Sequence, residues 1–123
     1  MIKKFLALSL AVLAMASHMT TENKVIGKIY PDPNSSNDRT FYASTKADER
    51  CNYISAQIFL GDAENNADIA TYKANGHNLD YVDVPAHVTG SNPAYVRVTG
   101  IHQVSSSDNN ITADFGLCDI YKQ

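Results

Sequence analysis

The residues of this chain with the clearest potential for chemistry are an acidic run, three histidines and two cysteines. Residues 62–68 (DAENNAD) place oxygen ligands at alternate positions, as a calcium-binding loop does. Ala67 stands where the sharp turn of such a loop needs glycine, and Lys73 where a bidentate glutamate would close the site. We therefore predict a solvated turn that holds no metal.

The histidines do not have the spacing of a zinc site or of a catalytic site. His77, His87 and His102 match neither HExxH nor another recognised ligand pattern. The sequence also contains no GxSxG elbow, P-loop or GxGxxG motif. A pair of carboxylates such as Asp80 and Asp83 leaves a hydrolase dyad open. The prediction from these motifs is a protein that is not an enzyme and that has no cofactor.

Cys51 and Cys118 are the only cysteines of the chain, and an even number in an exported protein favours a disulfide. We predict that the two are bonded to each other. Closing a loop of this length would contribute roughly 4 kcal/mol of stability in the chain-entropy model. The alternative is a reactive thiol with a histidine partner, which would not need a second cysteine.

Export is predicted from the N-terminal segment. Lys3 and Lys4 precede an apolar stretch, residues 5–15, that is interrupted only by Ser9. Ala14-Met15-Ala16 supplies the small residues that signal peptidase requires, which predicts cleavage after Ala16. The stretch is shorter than the roughly 20 residues that cross a bilayer, so a membrane anchor is disfavoured.

The predicted organisation is therefore a signal peptide over residues 1–16 and one periplasmic domain over residues 17–123, with no membrane insertion after cleavage. Loss of the two leader lysines leaves eight basic and thirteen acidic side chains, a net charge of −5. Nucleic acid and anionic membranes require a basic face on their partners, so both are predicted to be excluded. A basic protein is the favoured partner.

Short runs rich in Val, Ile, Tyr, Phe and Thr recur between turn residues, and no helical period persists beyond about two turns. Seven strands are predicted: residues 24–30, 39–43, 51–60, 69–74, 77–84, 94–104 and 111–121. Asn75-Gly76 predicts a type I′ hairpin between the fourth and fifth. Turn signals at this spacing favour an all-β fold, a compact antiparallel β-sandwich.

Two stretches, residues 72–81 and 85–95, present polar, acidic and aromatic groups on predicted strand ends and loops. The candidate partner-binding residues, which lie in these stretches except for Asp83 between them, are Tyr72, His77, Asp80, Tyr81, Asp83, His87, Asn92 and Tyr95. The alternative is that these are ordinary solvent loops whose tyrosines pack on the core.

The leader MIKKFLALSLAVLAMA, the single β domain, the cysteine pair and the segments KVIGKIYPDP and RCNYISAQIFLG together give a pattern that spans most of the chain. This pattern resembles the small periplasmic immunity proteins that bacteria carry against type VI secretion effectors. More narrowly, it is similar to the immunity partner of a spike effector with a lysozyme-like, peptidoglycan-degrading domain.

The resemblance implies an inhibitor that binds a cell-wall hydrolase and occludes its active-site cleft. Such immunity proteins often form homodimers, which an unpaired edge strand would support. Two alternatives remain open: a general periplasmic lysozyme inhibitor, and a structural or adhesive β module.

Overall fold

The computed structural model describes residues 17–20, 24–33, 39–88 and 93–123. The predicted signal peptide, residues 1–16, lies outside these ranges. Within them the chain forms eight strands and no helix, and so no helix able to cross a membrane. The strands are β1 (Ser17–Thr20), β2 (Val25–Pro31), β3 (Thr40–Cys51), β4 (Tyr53–Asp62), β5 (Ala67–Gly76), β6 (Leu79–His87), β7 (Tyr95–Ser106) and β8 (Ile111–Lys122).

The strands form two four-stranded sheets. Sheet A has the order β1-β2-β3-β6, sheet B has the order β5-β4-β7-β8, and all neighbours are antiparallel. The prediction of an all-β fold with antiparallel sheets is confirmed. The seven predicted strands correspond to β2–β8, several of which extend further than predicted, and β1 was not predicted.

Alternation of apolar and polar residues creates the core between the sheets. Ile54, Ala56, Ile58 and Leu60 fall on one face of β4 and are fully buried, as a period of two requires. The inner residues of sheet A join them in a single apolar cluster. Each fully buried Ile or Leu contributes roughly 2 kcal/mol through loss of contact with water, so this face holds the sheets together.

The predicted hairpin at Asn75-Gly76 is wrong. β5 continues through Gly76, and His77 and Asn78 form the connection. β5 then pairs with β4 in sheet B, whereas β6 pairs with β3 in sheet A. The apolar residues of β6 face the core from the sheet A side, and burying them there outweighs the local preference of the Asn-Gly dipeptide for a hairpin.

The predicted disulfide is also wrong, because Cys51 and Cys118 are both free thiols in the structure. Cys51 ends β3 with its side chain buried, whereas Cys118 points outward from sheet B and is exposed. Cys118 lies opposite Thr99 of β7. Cys51 precedes the start of β4, which lies opposite Ser105, six residues further along β7. At about 3.3 Å per residue, this offset of about 20 Å far exceeds the reach of a disulfide.

We expect thiol labelling to distinguish the two cysteines. Cys118 should react in the native protein, while Cys51 should react only after unfolding, since burial, with Asp80 and Glu49 nearby, raises the pKa of its thiol. Counting modified thiols per chain without reductant should give one in buffer and two in guanidinium chloride. No reactive thiol under denaturing conditions would show that the bond exists.

A histidine lies inside the core. His102 points inward from β7 with no exposed surface, and its Nδ1 lies 2.9 Å from the Thr45 hydroxyl. That hydroxyl donates to the Ser55 carbonyl (2.8 Å), so Nδ1–H must donate to it and Nε2 is the unprotonated nitrogen. Nε2 accepts no hydrogen bond from the described residues. Burial lowers the pKa of His102 to about 4, against an opposing hydrogen bond to the Ser44 backbone.

Two glycines make room for this imidazole. A Cβ placed at Gly27 would approach the His102 ring to 2.7 Å and the Phe115 ring to 2.6 Å. At Gly100 it would lie 2.9 Å from His102 Nε2 and 2.6 Å from Ile29. Real Cβ atoms do not make such contacts, so the packing of the histidine depends on both glycines.

We expect acid to destabilise the fold through His102. Its folded pKa, about 4, lies below the ordinary value of 6.5, so only the unfolded chain takes up this proton as the pH falls between these values. The histidine's contribution is therefore complete above pH 6.5 and is lost on acidification, by up to about 3 kcal/mol at pH 4. Urea unfolding from pH 7.5 to 4.0 measures it. His102→Leu should flatten the pH dependence, and parallel curves for the two proteins would contradict this assignment.

Candidate functional site

Six of the eight predicted binding residues lie on one continuous segment of the structure. This segment, residues 72–87, runs from β5 through the His77–Asn78 turn and along β6, and is called here the β5–β6 segment. It contains Tyr72, His77, Asp80, Tyr81, Asp83 and His87. Tyr95 lies apart from it, half-buried at the start of β7, and Asn92 lies outside the described residues.

The β5–β6 segment carries most of the large apolar side chains that the described residues expose. These exposed side chains are Phe59, Tyr72, Leu79 and Tyr81, each with 36–44% of its surface accessible. Three of the four belong to this segment, and the exposed carboxylates of Asp80 and Asp83 alternate with them along β6. Exposed apolar groups near charges are typical of a protein-binding site, and here two sheets supply them: Tyr72 pairs with Ile58 in sheet B, and Tyr81 pairs with Lys46 in sheet A.

The turn of the segment is held in place by the connection between β3 and β4. His77 Nδ1–H donates to the Asn52 carbonyl (3.0 Å), and the His77 ring lies 5.7 Å from the ring of Tyr53. The Asn78 N–H donates to the Cys51 carbonyl (2.8 Å). Asn78 has a φ of 58°, a left-handed conformation that asparagine tolerates better than most residues. The turn is therefore fixed before any partner binds.

The Asn52 side chain joins the same end of the molecule to the β7–β8 turn. Its Oδ1 accepts from the Ser106 hydroxyl (3.1 Å), and its Nδ2 donates to Asp108 Oδ2 (3.3 Å). The Asn109 side chain in that turn donates in turn to the Arg50 carbonyl (2.6 Å). Three connections thus share one hydrogen-bond network, which limits the motion of the β5–β6 turn.

β6 places Tyr81, Asp83 and His87 on the outer face of sheet A. Tyr81, Asp83 and His87 alternate outward, while Val82 and Val84 face the core. His87 Nδ1 lies 2.8 Å from the Thr40 hydroxyl on β3. Residues 85–87 were predicted as loop and are strand, so His87, which was assigned to that loop, shares a strand face with Tyr81 and Asp83.

Beside Tyr81, the outer face of sheet A contains a hollow of about 550 Å³, called here the sheet A hollow. Three strands line it because β3 pairs with β2 on one side and with β6 on the other. The lining residues are Ile26, Lys28, Ile29, Tyr30, Ser44, Lys46 and Tyr81.

Tyr30 forms one wall of the hollow and is held by stacking on Tyr42, with ring centroids 5.4 Å apart and planes 17° apart. Burial, followed by the proximity of Tyr81 and Asp83, raises the pKa of Tyr30 to about 12. Its phenol is therefore neutral at physiological pH and can both donate and accept a hydrogen bond.

Sequence reasoning missed Lys28, Tyr30, Ser44 and Lys46. The available signal was the alternation in residues 24–30, which places Ile26, Lys28 and Tyr30 on one strand face. The pairing of β2 with β3 and of β3 with β6 is what gathers these residues into one hollow, and single-strand patterns do not contain it.

The groups that suggested chemistry are not assembled into a catalytic or metal centre in the described residues. His102 is in the core, and His77 and His87 are at opposite ends of the β5–β6 segment. The described ranges contain no cluster of three or more His, Cys, Asp or Glu side chains that could hold a metal ion. In the acidic turn, Asp62 accepts from the backbone N–H groups of Glu64 (3.0 Å) and Asn65 (3.3 Å), so its carboxylate organises the turn.

No protein-family model matches the sequence, and no curated protein matches it either. The arrangement of exposed side chains is therefore the main guide to function. It favours binding to another molecule.

We expect His77→Ala to loosen the turn. The substitution removes the hydrogen bond to the Asn52 carbonyl and the contact with Tyr53, which should cost about 1 kcal/mol. Hydrogen exchange at the amides of residues 76–79 should accelerate while the exchange of β4 stays unchanged. Glu64→Ala, in the β4–β5 turn, serves as the control and should leave residues 76–79 unaffected. Equal exchange in wild type and His77→Ala would contradict the anchoring role.

Proposed function

We propose that this protein is a periplasmic β-sandwich that acts as an immunity protein, binding and inhibiting a peptidoglycan-degrading type VI secretion effector. The observation that supports the proposal is the concentration of exposed Tyr72, Leu79 and Tyr81 on the β5–β6 segment beside Asp80 and Asp83. The resemblance of the sequence to such immunity proteins gives the class of partner. Inhibition requires only that the bound domain exclude substrate from the enzyme.

The mechanism is occlusion. A peptidoglycan hydrolase holds its catalytic carboxylates in an elongated cleft, and a rigid segment of another protein can fill such a cleft. The hydrogen bonds from His77 and Asn78 fix the turn of the β5–β6 segment in advance. Less conformational entropy is then lost on binding, which raises affinity.

Charge supports the same partner. The mature domain carries a net charge of −5, and the exposed Asp80 and Asp83 place part of it on the β5–β6 segment. A basic hydrolase would be attracted over several ångströms, which raises the association rate. Added salt would screen this attraction and slow association.

We propose in addition that the protein forms a homodimer. Strand β6 is an edge of sheet A, and strands β5 and β8 are the edges of sheet B. Unpaired edges can pair with another copy of the same strand. Light scattering at micromolar concentration tests this, and a monomer mass would refute it.

We expect charge reversal on the β5–β6 segment to weaken inhibition. Asp80→Lys combined with Asp83→Lys should raise the inhibition constant at least tenfold, about 1.4 kcal/mol, because attraction becomes repulsion. The measurement is peptidoglycan clearing by the purified lysozyme-like domain of a type VI spike effector.

The matched control combines Asp114→Lys with Glu64→Lys, since Asp114 is exposed on the outer face of sheet B and Glu64 is exposed in the β4–β5 turn. It makes the same type of charge change away from the β5–β6 segment and should inhibit like wild type. Equal weakening by both variants would assign the effect to net charge alone. Absence of inhibition by the wild-type protein would refute the proposed function itself.

A further inference from the structure

We propose that the sheet A hollow is a binding site for a saccharide that carries a carboxylate. This ligand is separate from the protein partner proposed above. Three features of the hollow support it: a pair of lysines without acidic partners, two tyrosine side chains and a serine hydroxyl in its lining.

The lysine pair selects an anion. Lys28 faces Ser44 and Lys46 faces Ile26 across the β2–β3 pair, so the lysines are diagonal neighbours about 7–8 Å apart at the backbone. Neither lysine is within ion-pair distance of a carboxylate in the described residues. The one ion pair among those residues lies outside the hollow. Two ammonium groups on the same face can converge on a single carboxylate through charge-assisted hydrogen bonds.

The local charge is opposite to that of the whole domain. The residues that line the hollow include Lys28 and Lys46 and no acid. Asp83, opposite Ser44, and Asp48, two residues beyond Lys46 on β3, are the nearby acids on the same face. The lining is thus positive on a domain with a net charge of −5. This excess of positive charge favours an anionic ligand over a neutral one.

The tyrosines select a ring. Tyr30 and Tyr81 line the hollow together with Ile26, and stacking on Tyr42 holds the Tyr30 ring in place. An aromatic side chain offers an apolar face and a hydrogen-bonding hydroxyl, and a sugar ring has the matching apolar face and hydroxyl rim. A carboxylate without a ring would use only the lysines.

The hydroxyl of Ser44 supplies the third feature. Ser44 points to the outer face of sheet A, yet only 5% of its surface is accessible, and it lines the hollow. A serine hydroxyl can both donate and accept a hydrogen bond, so a sugar hydroxyl is a suitable partner. The volume of about 550 Å³ lies within the range of small-ligand pockets.

The test compares two sugars that differ in a carboxylate. N-acetylmuramic acid carries a lactyl carboxylate that N-acetylglucosamine lacks, and lactate supplies that carboxylate without the ring. Each is titrated to about 20 mM into ¹⁵N-labelled protein, a range that registers millimolar binding. We expect N-acetylmuramic acid to shift the amides of residues 26–30, 44–46 and 81, with at least tenfold higher affinity than either other compound. Equal affinities, shifts elsewhere or no shifts would overturn the proposal.

Variants locate the carboxylate. Lys28→Gln and Lys46→Gln should each lower affinity for N-acetylmuramic acid at least fivefold and leave N-acetylglucosamine unchanged, which excludes a general loss of structure. Lys122→Gln, at an exposed position on β8 of the other sheet, is the matched control and should bind like wild type. An equal effect of all three variants would also overturn the proposal.

This proposal and the proposed function can fail independently. Sugar binding is measured without any effector, and inhibition is measured with the effector domain. Sugar binding by a protein that fails to inhibit would leave the hollow assigned and the immunity role refuted, and the reverse result would do the opposite.

Discussion

The passage of the chain from sheet B to sheet A through His77 and Asn78 determines where the candidate binding groups lie. A connection of two residues requires the strands it joins to be near neighbours, and β5 and β6 are accordingly edge strands of their respective sheets. β6 then completes the outer face of sheet A, which brings Tyr81 beside Lys46 and Asp83 beside Ser44. Without this crossing, β6 would pair with β5, and the sheet A hollow would lose one wall.

Alternation along β2, β3 and β6 separates the two tasks of sheet A. The inward residues, such as Val25, Ile29 and Ala43, are buried in the core and stabilise the fold. Of the outward residues, Thr40 and Ser44 are buried, whereas Lys28 and Lys46 are exposed and can vary without opening a cavity in that core. The exposed lysines and the tyrosines beside them are the groups on which the proposed binding site depends.

Local patterns were sufficient for the strands and insufficient for their partners. The burial of Ile54, Ala56, Ile58 and Leu60 was predicted because strand alternation is a local property. Asn75-Gly76 was misleading because a dipeptide reports the preference of an isolated turn, whereas pairing depends on which sheet buries the apolar residues of β6. The disulfide between Cys51 and Cys118 failed for the same reason, since counting cysteines says nothing of which side of a strand each occupies.

The residues of the candidate site also differ in whether a single strand reveals them. Tyr81 and Asp83 were recognisable because exposed aromatic and acidic residues stand out in a single strand. Lys28 and Ser44 were missed because their significance arises from the pairing of β2 with β3, and no local sequence signal gives the register of that pair.

The imidazole of His102 fills space that a side chain at position 27 or position 100 would also need. Gly27 is on β2, whereas Gly100 and His102 are on β7. In evolutionary terms the three positions form a linked set. A lineage that keeps the histidine must keep both glycines. One that replaces it with a smaller residue must also change Phe115 before position 27 can acquire a side chain, and Ile29 before position 100 can. Related sequences should therefore change at these positions together, so that such joint changes would mark relatives too distant for ordinary similarity to reveal.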